Sequence, residues 1–240
     1  MIDVTLKGPE NLRWKAIGDV LVSDPGLLIC GYDMRLIYLP TNTSYEIKRG
    51  DHRAVILNLL RGSLKGCVLR PMEAVVIREK EEMTIESKED DCLLFACFDL
   101  EEMGAVKEEI HGLSMRWVEP VSNVFRTDPK IEVDGFRLNL WYAPPNMNMG
   151  IHNHSHPTDH SIAEQMIEVH TQLRGSGWMV KYREKSEESE YDRFEMKYGK
   201  SHPLFCSISD GQVSYPWHAY QSGAEGTLFL VMEDVNCMKR

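Results

Sequence analysis

The stretch G-I-H-N-H-S-H-P-T-D-H-S-I-A-E-Q-M-I-E-V-H-T-Q-L-R-G, residues 150–175, decides how the chain is read. It holds five of the nine histidines, and single residues separate His152, His154 and His156. In extended backbone alternate side chains share a face, so this spacing predicts three imidazoles on one side of a strand. Glu168, His170 and Gln172 alternate in the same way. Two strands that aim imidazoles and a carboxylate into one space make a site for a divalent transition metal (Fe, Mn, Ni, Co, Cu or Zn), and the donor set does not choose among these ions.

Outward from this stretch the chain reads as short strands with turn signals between them. On the N-terminal side, R-L-I-Y-L-P (35–40), R-A-V-I-L-N-L-L-R-G (53–62), M-E-A-V-V-I (72–77), M-T-I-E-S (83–87) and D-D-C-L-L-F-A-C-F-D-L (90–100) are apolar and β-prone. Strands at a spacing of roughly ten residues predict an all-β sandwich or barrel. One helix is expected, in L-E-E-M-G-A-V-K-E-E-I-H (100–111), where Met103, Val106 and Ile110 recur at helical spacing. On the C-terminal side, G-F-R-L-N-L-W-Y-A-P-P (135–145), G-S-G-W-M-V-K-Y-R-E (175–184), V-S-Y-P-W-H-A-Y (213–220) and G-T-L-F-L-V-M-E-D-V (226–235) repeat the pattern. The acidic K-S-E-E-S-E-Y-D-R-F-E (185–195) reads as a solvated loop, with a lid over the site as the sharper alternative. The halves look like a diverged repeat. L-R-G-S occurs at 60–63 and at 173–176, and Leu94-Phe95 matches Leu228-Phe229 in the same order.

Composition narrows the function classes. A formal charge of −10 argues against a nucleic-acid surface. There is no run of apolar residues long enough to span a membrane and no secretory signal, so a cytoplasmic protein is expected. The six cysteines form no C-x-x-C pair and read as reduced thiols, with Cys97 and Cys206 as core fillers.

The histidine stretch resembles the first metal motif of the cupin superfamily, and the chain as a whole resembles a two-domain bicupin. The motif runs glycine, H-x-H, glutamate, six residues, glycine. Here Glu168 is followed by six residues and then Gly175, and H-x-H occurs at His152/His154 and again at His154/His156. The gap from H-x-H to Glu168 is longer than the family's, which predicts an enlarged hairpin over 157–167 and leaves His156 and Glu164 as alternative ligands. The second motif places a histidine in a proline-containing turn, and Y-P-W-H-A-Y puts His218 there. The resemblance implies two tandem jelly-roll barrels with a short helical linker: residues 1–118 without metal ligands, and residues 119–240 with them. It implies metal ligation by His152, His154, Glu168 and His218. His170, on the face of Glu168, is expected to move protons, to be a fifth contact or to replace Glu168 as a ligand. Gln172 is expected to reach the substrate.

In the first half, Val55 and Leu57 stand where Glu168 and His170 would be, and no H-x-H pair precedes them. Tyr215, Trp217 and Tyr220 flank His218 and are candidate pocket walls, while His160 and His202 read as loop residues. The function this implies is a metal-dependent enzyme on a small polar metabolite, of oxygenase, decarboxylase or isomerase type. A non-catalytic small-molecule binder with a structural metal is the alternative. Pairing through sheet edges, common in the family, would make a homodimer.

Overall fold

The computed structural model describes residues 14–23, 27–29, 32–47, 54–58, 63–64, 67–68, 73–77, 83–87, 91–99, 115–117, 124–127, 131–133, 135–154, 166–235 and 237. These residues are all-β apart from one 3-10 turn at Glu187–Ser189. The helix expected over 100–111 lies outside the described residues. No helix among them is long and apolar enough to cross a membrane. The chain divides into two compact units, one within Gly8–Leu113 and one within Ser114–Arg240.

The N-terminal unit contains β1 (Trp14–Ile17), β2 (Val20–Ser23), β3 (Leu27–Ile29), β4 (Tyr32–Leu39), β5 (Thr43–Ile47), β6 (Ala54–Asn58), β7 (Ser63–Leu64), β8 (Cys67–Val68), β9 (Ala74–Ile77), β10 (Met83–Ser87) and β11 (Cys92–Asp99). The C-terminal unit contains β12 (Met115–Trp117), β13 (Phe125–Thr127), β14 (Ile131–Val133), β15 (Phe136–Ala143), β16 (Ile167–Tyr182), β17 (Glu190–Met196), β18 (Ser207–Ser209), β19 (Gln212–Ser214) and β20 (Trp217–Asp234). The large sheet of the first runs β1-β2-β4-β11-β6-β9, with β3 also on β4; that of the second runs β12-β13-β15-β20-β16-β17, with β14 also on β15. The two orders correspond strand for strand, so the repeat seen in two short sequence matches is a repeat of topology. A second sheet, β5-β10-β7-β8, completes the described N-terminal unit, and β18-β19 form a separate hairpin in the C-terminal one.

The core of the N-terminal unit is apolar, built from Val20, Ile37, Leu39, Ile56, Leu94 and Ala96 among others. The register corrects one expectation. On β6, Ile56 faces this core and Asn58 meets Cys92 there, whereas Val55 and Leu57 are buried on the opposite face. The error has a physical source. Alignment through L-R-G-S crosses a slip between Gln172 and Arg174, where β16 carries one extra residue against β20. One extra residue reverses which parity faces inward.

In the C-terminal unit β16 and β20 pair from Ile167↔Asp234 to Tyr182↔Trp217, with a second slip between Gly175 and Gly177. Gly175 sits at φ +66°, and a Cβ there would lie 2.0 Å from the carbonyl oxygen of Gly226, itself at φ +76°. Only glycine fits this approach. The acidic stretch is not the loop expected: its latter part is β17, paired along β16 and ending on the buried Met196. Its charges are met locally, Lys181 Nζ to Asp192 Oδ2 at 2.7 Å and Arg193 to Glu190 at 2.7 Å.

Candidate metal centre

The chain leaving β15 stays alongside β20. Met149 N–H donates to the Tyr220 carbonyl at 3.0 Å, and His152 and His218 exchange both backbone hydrogen bonds, at 2.9 and 2.8 Å. His152 is thus paired, but the run is not the alternating strand expected from its sequence. His154 turns at φ +56°, a left-handed conformation rare for a residue with a side chain. Ring centroids stand 4.4 Å apart for His152 and His218, 4.8 Å for His152 and His154, and 5.0 Å for His154 and His218. The nitrogens that could ligate lie within 4.8 Å of one another. His154 Nε2 and His218 Nε2 are 3.2 Å apart. Two imidazole nitrogens each about 2.1 Å from one ion sit roughly 3.0–3.4 Å apart, so this pair already has the spacing a shared ion needs.

Two of the tautomers are set by backbone. His218 Nδ1 meets the Pro216 carbonyl at 2.9 Å, and His152 Nδ1 meets the Gly150 carbonyl at 3.0 Å. A carbonyl only accepts, so Nδ1 carries the hydrogen in both and Nε2 is left with its lone pair. Burial holds His218 well below the ordinary imidazole range, and the neighbouring His152 and His154 add to the effect. Burial, then His154, lowers His152. A neutral ring is the form a metal takes.

Glu168 joins the group from β16. Its Oε1 lies 3.5 Å from His154 Nε2 and 3.0 Å from His170 Nε2. Burial alone would raise the Glu168 carboxyl, but His170 and His154 outweigh it and hold it well below the carboxylate range. His154 is raised, because the same carboxylate overcomes the burial that would lower it. His170 meets the same carboxylate oxygen as His154 but is not one of the three clustered rings. Since Glu168 accepts, His170 donates through Nε2, and its buried Nδ1 has no hydrogen-bond partner.

Cross-strand pairing shows what else shares this face, because directly paired residues point the same way. The rows are Arg137, Glu233, Glu168; then Asn139, Val231, His170; then Trp141, Phe229, Gln172. Arg137 lies 3.6 Å from Glu233. Trp141 donates its indole N–H to Asn139 Oδ1 at 2.7 Å, which leaves the buried Asn139 Nδ2 without a partner. Gln172 does not reach a substrate space. Its amide nitrogen donates to Thr227 Oγ1 at 2.7 Å and to the Arg174 carbonyl, and its oxygen accepts from the Tyr220 hydroxyl. Tyr220 stacks on Phe229 with centroids 4.3 Å apart, closing this end with aromatic rings.

Of the residues singled out by sequence, the structure brings together His152, His154, Glu168, His170 and His218. His156, His160 and Glu164 lie outside the described residues. Tyr215 is a wall of the site, edge-on to His154 at 4.8 Å. Trp217 is not: it packs with Trp178 against Val180, Tyr182 and Ala219. Cys92, Cys97 and Cys206 are free thiols. His202 lies outside any strand, as expected, but it is buried, 3% exposed, and packs edge-on to His170 at 5.2 Å. Neither His202 nor Phe205, whose ring is 5.0 Å from His218, stands at motif spacing, so the sequence carries no signal for either.

No family model matches the chain, and no curated protein does. Among solved structures, those it is similar to include cupin-domain proteins. A cupin 2 conserved barrel domain protein from Leptotrichia buccalis is 11% identical, over 91% of this chain and 90% of that one, with a TM-score of 0.32. A formate complex of oxalate decarboxylase from Lactobacillus farciminis is 8% identical, over 98% and 87%, with a TM-score of 0.36. AerE from Microcystis aeruginosa is 9% identical, over 92% and 96%, with a TM-score of 0.33. At these identities and scores the likenesses carry no weight for activity. The sheets and the imidazole group of the chain itself define an all-β protein with a candidate metal centre in its C-terminal unit.

Proposed function

We propose that the chain is a bicupin whose C-terminal unit, within residues 119–240, binds one divalent transition metal through His152, His154, His218 and Glu168 and acts enzymatically on a small polar metabolite. The observation that carries this reading is the 3.2 Å separation of His154 Nε2 and His218 Nε2, with the Glu168 carboxylate 3.5 Å from the former. Three imidazoles and one carboxylate suit a first-row transition ion. When bound, the ion supplies a Lewis acid that polarises a substrate oxygen and stabilises the anion that forms.

The residues of the chain supply the rest. His154 gives up its Nε2 proton on ligation, so binding strengthens as pH rises through the imidazole range. His170 holds the Glu168 carboxylate through Nε2 and leaves its buried Nδ1 unpartnered, the lone pair that would take a proton from substrate. Asn139 offers both amide hydrogens on the same face. Leaving such buried groups unpaired costs roughly 1–3 kcal/mol each, which favours a polar ligand that pairs them over a purely structural ion. That ligand class covers oxygenase, decarboxylase and isomerase chemistry. The alternative, a non-catalytic binder with a structural metal, predicts a closed shell with no exchangeable position.

Metal analysis of purified, reconstituted protein tests the reading. About one equivalent per chain is expected, falling below roughly a tenth in His218→Ala, while His52→Ala keeps the full equivalent. No metal in the wild-type protein, or equal content in the two variants, overturns it. With metal bound, water proton relaxation in the Mn(II) form separates an open position from a closed shell.

A further inference from the structure

Among the described residues, no neighbouring strand pairs with the edge of β16 that carries Glu168 and His170. β17 pairs with β16 only from Gly177 to Tyr182. Nearer the site the chain after β17 reaches Gln172, whose N–H donates to the Lys200 carbonyl at 2.9 Å. Beyond that point two side chains stand where backbone carbonyls would. His170 N–H donates to His202 Nε2 at 3.0 Å, and Glu168 N–H donates to the Tyr215 hydroxyl at 2.6 Å. Both come from the ends of one excursion, residues 202–215, whose middle is the exposed β18-β19 hairpin.

We infer that His202 and Tyr215 are positioning residues that clasp the Glu168–His170 segment and thereby set the geometry of the metal centre. His202 can do this only in one tautomer. Its Nδ1 meets the Pro203 carbonyl at 3.0 Å and must donate, so Nε2 is left as the acceptor that His170 N–H requires. The His202 N–H also donates back to the His170 carbonyl at 3.3 Å, so both backbone groups of His170 are held. Tyr215 adds a second constraint. While its hydroxyl accepts from Glu168, its ring lies edge-on to His154 at 4.8 Å and 5.5 Å from that of His218. Phe205 fills the space between, 5.0 Å from His202 and 5.5 Å from Tyr215. One excursion thus touches the Glu168 backbone, the backbone and ring of His170, and the rings of His154 and His218. Partners of this kind orient ligands, and their loss costs about 10–100-fold in metal affinity.

This inference rests on the metal reading above, and its test separates the two. Amide hydrogen exchange in metal-free protein reads the clasp alone: Tyr215→Phe should speed exchange at the Glu168 amide, and His202→Leu at the His170 amide. Co(II) titration then reads its consequence. Affinity should fall at least tenfold in Tyr215→Phe and in His202→Leu, with a changed visible spectrum. His202→Gln, whose side-chain oxygen restores an acceptor, should recover most of the affinity and the wild-type spectrum. Exchange unchanged at the Glu168 amide in Tyr215→Phe and at the His170 amide in His202→Leu, together with wild-type affinity and spectrum in Tyr215→Phe, overturns the clasp. Wild-type protein that fails to bind Co(II) while the amides respond as expected overturns the metal reading and leaves the clasp standing.

Discussion

The two units lay out their large sheets in one order yet fill them differently. On β6 the apolar residue turned to the core is Ile56, packed with Ile37, Leu94 and Ala96, and Asn58 beside it meets the Cys92 thiol. On β16 the residues turned inward are Glu168, His170 and Gln172, and every one is hydrogen-bonded to another side chain. The N-terminal interior is held by apolar contact, which needs no partner in particular. The C-terminal interior is held by directed bonds, which do. Shared topology therefore fixes where side chains point, and the residue type at a few inward positions decides whether that space is filled by apolar packing or by hydrogen-bonded polar groups.

The largest effect expected on this contrast comes from the glycine pair of the C-terminal unit. Gly175→Ala forces a Cβ onto the Gly226 carbonyl at a positive φ and should destabilise the C-terminal unit by about 3 kcal/mol or more. Thermal denaturation should show that transition lowered, or lost, with the N-terminal one in place. Next, Ile56→Ala should cost about 2–4 kcal/mol by opening a cavity, with metal content per folded chain unchanged. A loss of metal there would mean that the contrast between the units is false.

The smallest effect is acid sensitivity. Burial presses His202 down to about 3 from the ordinary 6.5. The unfolded chain takes up a proton as pH falls below about 6.5, and the folded chain does not. The contribution is therefore complete above pH 6.5 and is lost as pH falls toward 3, by at most about 1.4 kcal/mol per pH unit. Melting temperature of the C-terminal unit between pH 7 and pH 5 should fall in the wild type and fall less in His202→Gln. Equal slopes would show that His202 is not buried neutral.

Much of this was legible in the chain. Turn spacing gave the strands, and two short matches gave the repeat. The six residues between Glu168 and Gly175 marked a real constraint, since Gly175 is a position no other residue can take. Parity was the weak point. It failed at Val55 and Leu57 because a single added residue near Leu173 changes which face looks inward, and hydrophobic residues occupy both faces there. It reached His152 and His154 for a different reason from the one assumed: backbone pairing places the first, and a left-handed bend the second. His202 was invisible because its role is to accept from a backbone N–H, and such a role leaves no spacing in the sequence. Gln172 misled because a buried amide looks the same in one dimension whether it meets a ligand or a tyrosine.

The closed triangle of Gln172, Tyr220 and Thr227 has one more consequence. Gln172 spends both amide hydrogens and its oxygen on protein atoms, so that end of the interior offers no relay for a hydron. Under the proposed function, a proton taken up at His170 finds no open amide at Gln172 to carry it onward, and exchange of a labelled substrate hydrogen with bulk water would have to proceed without that residue.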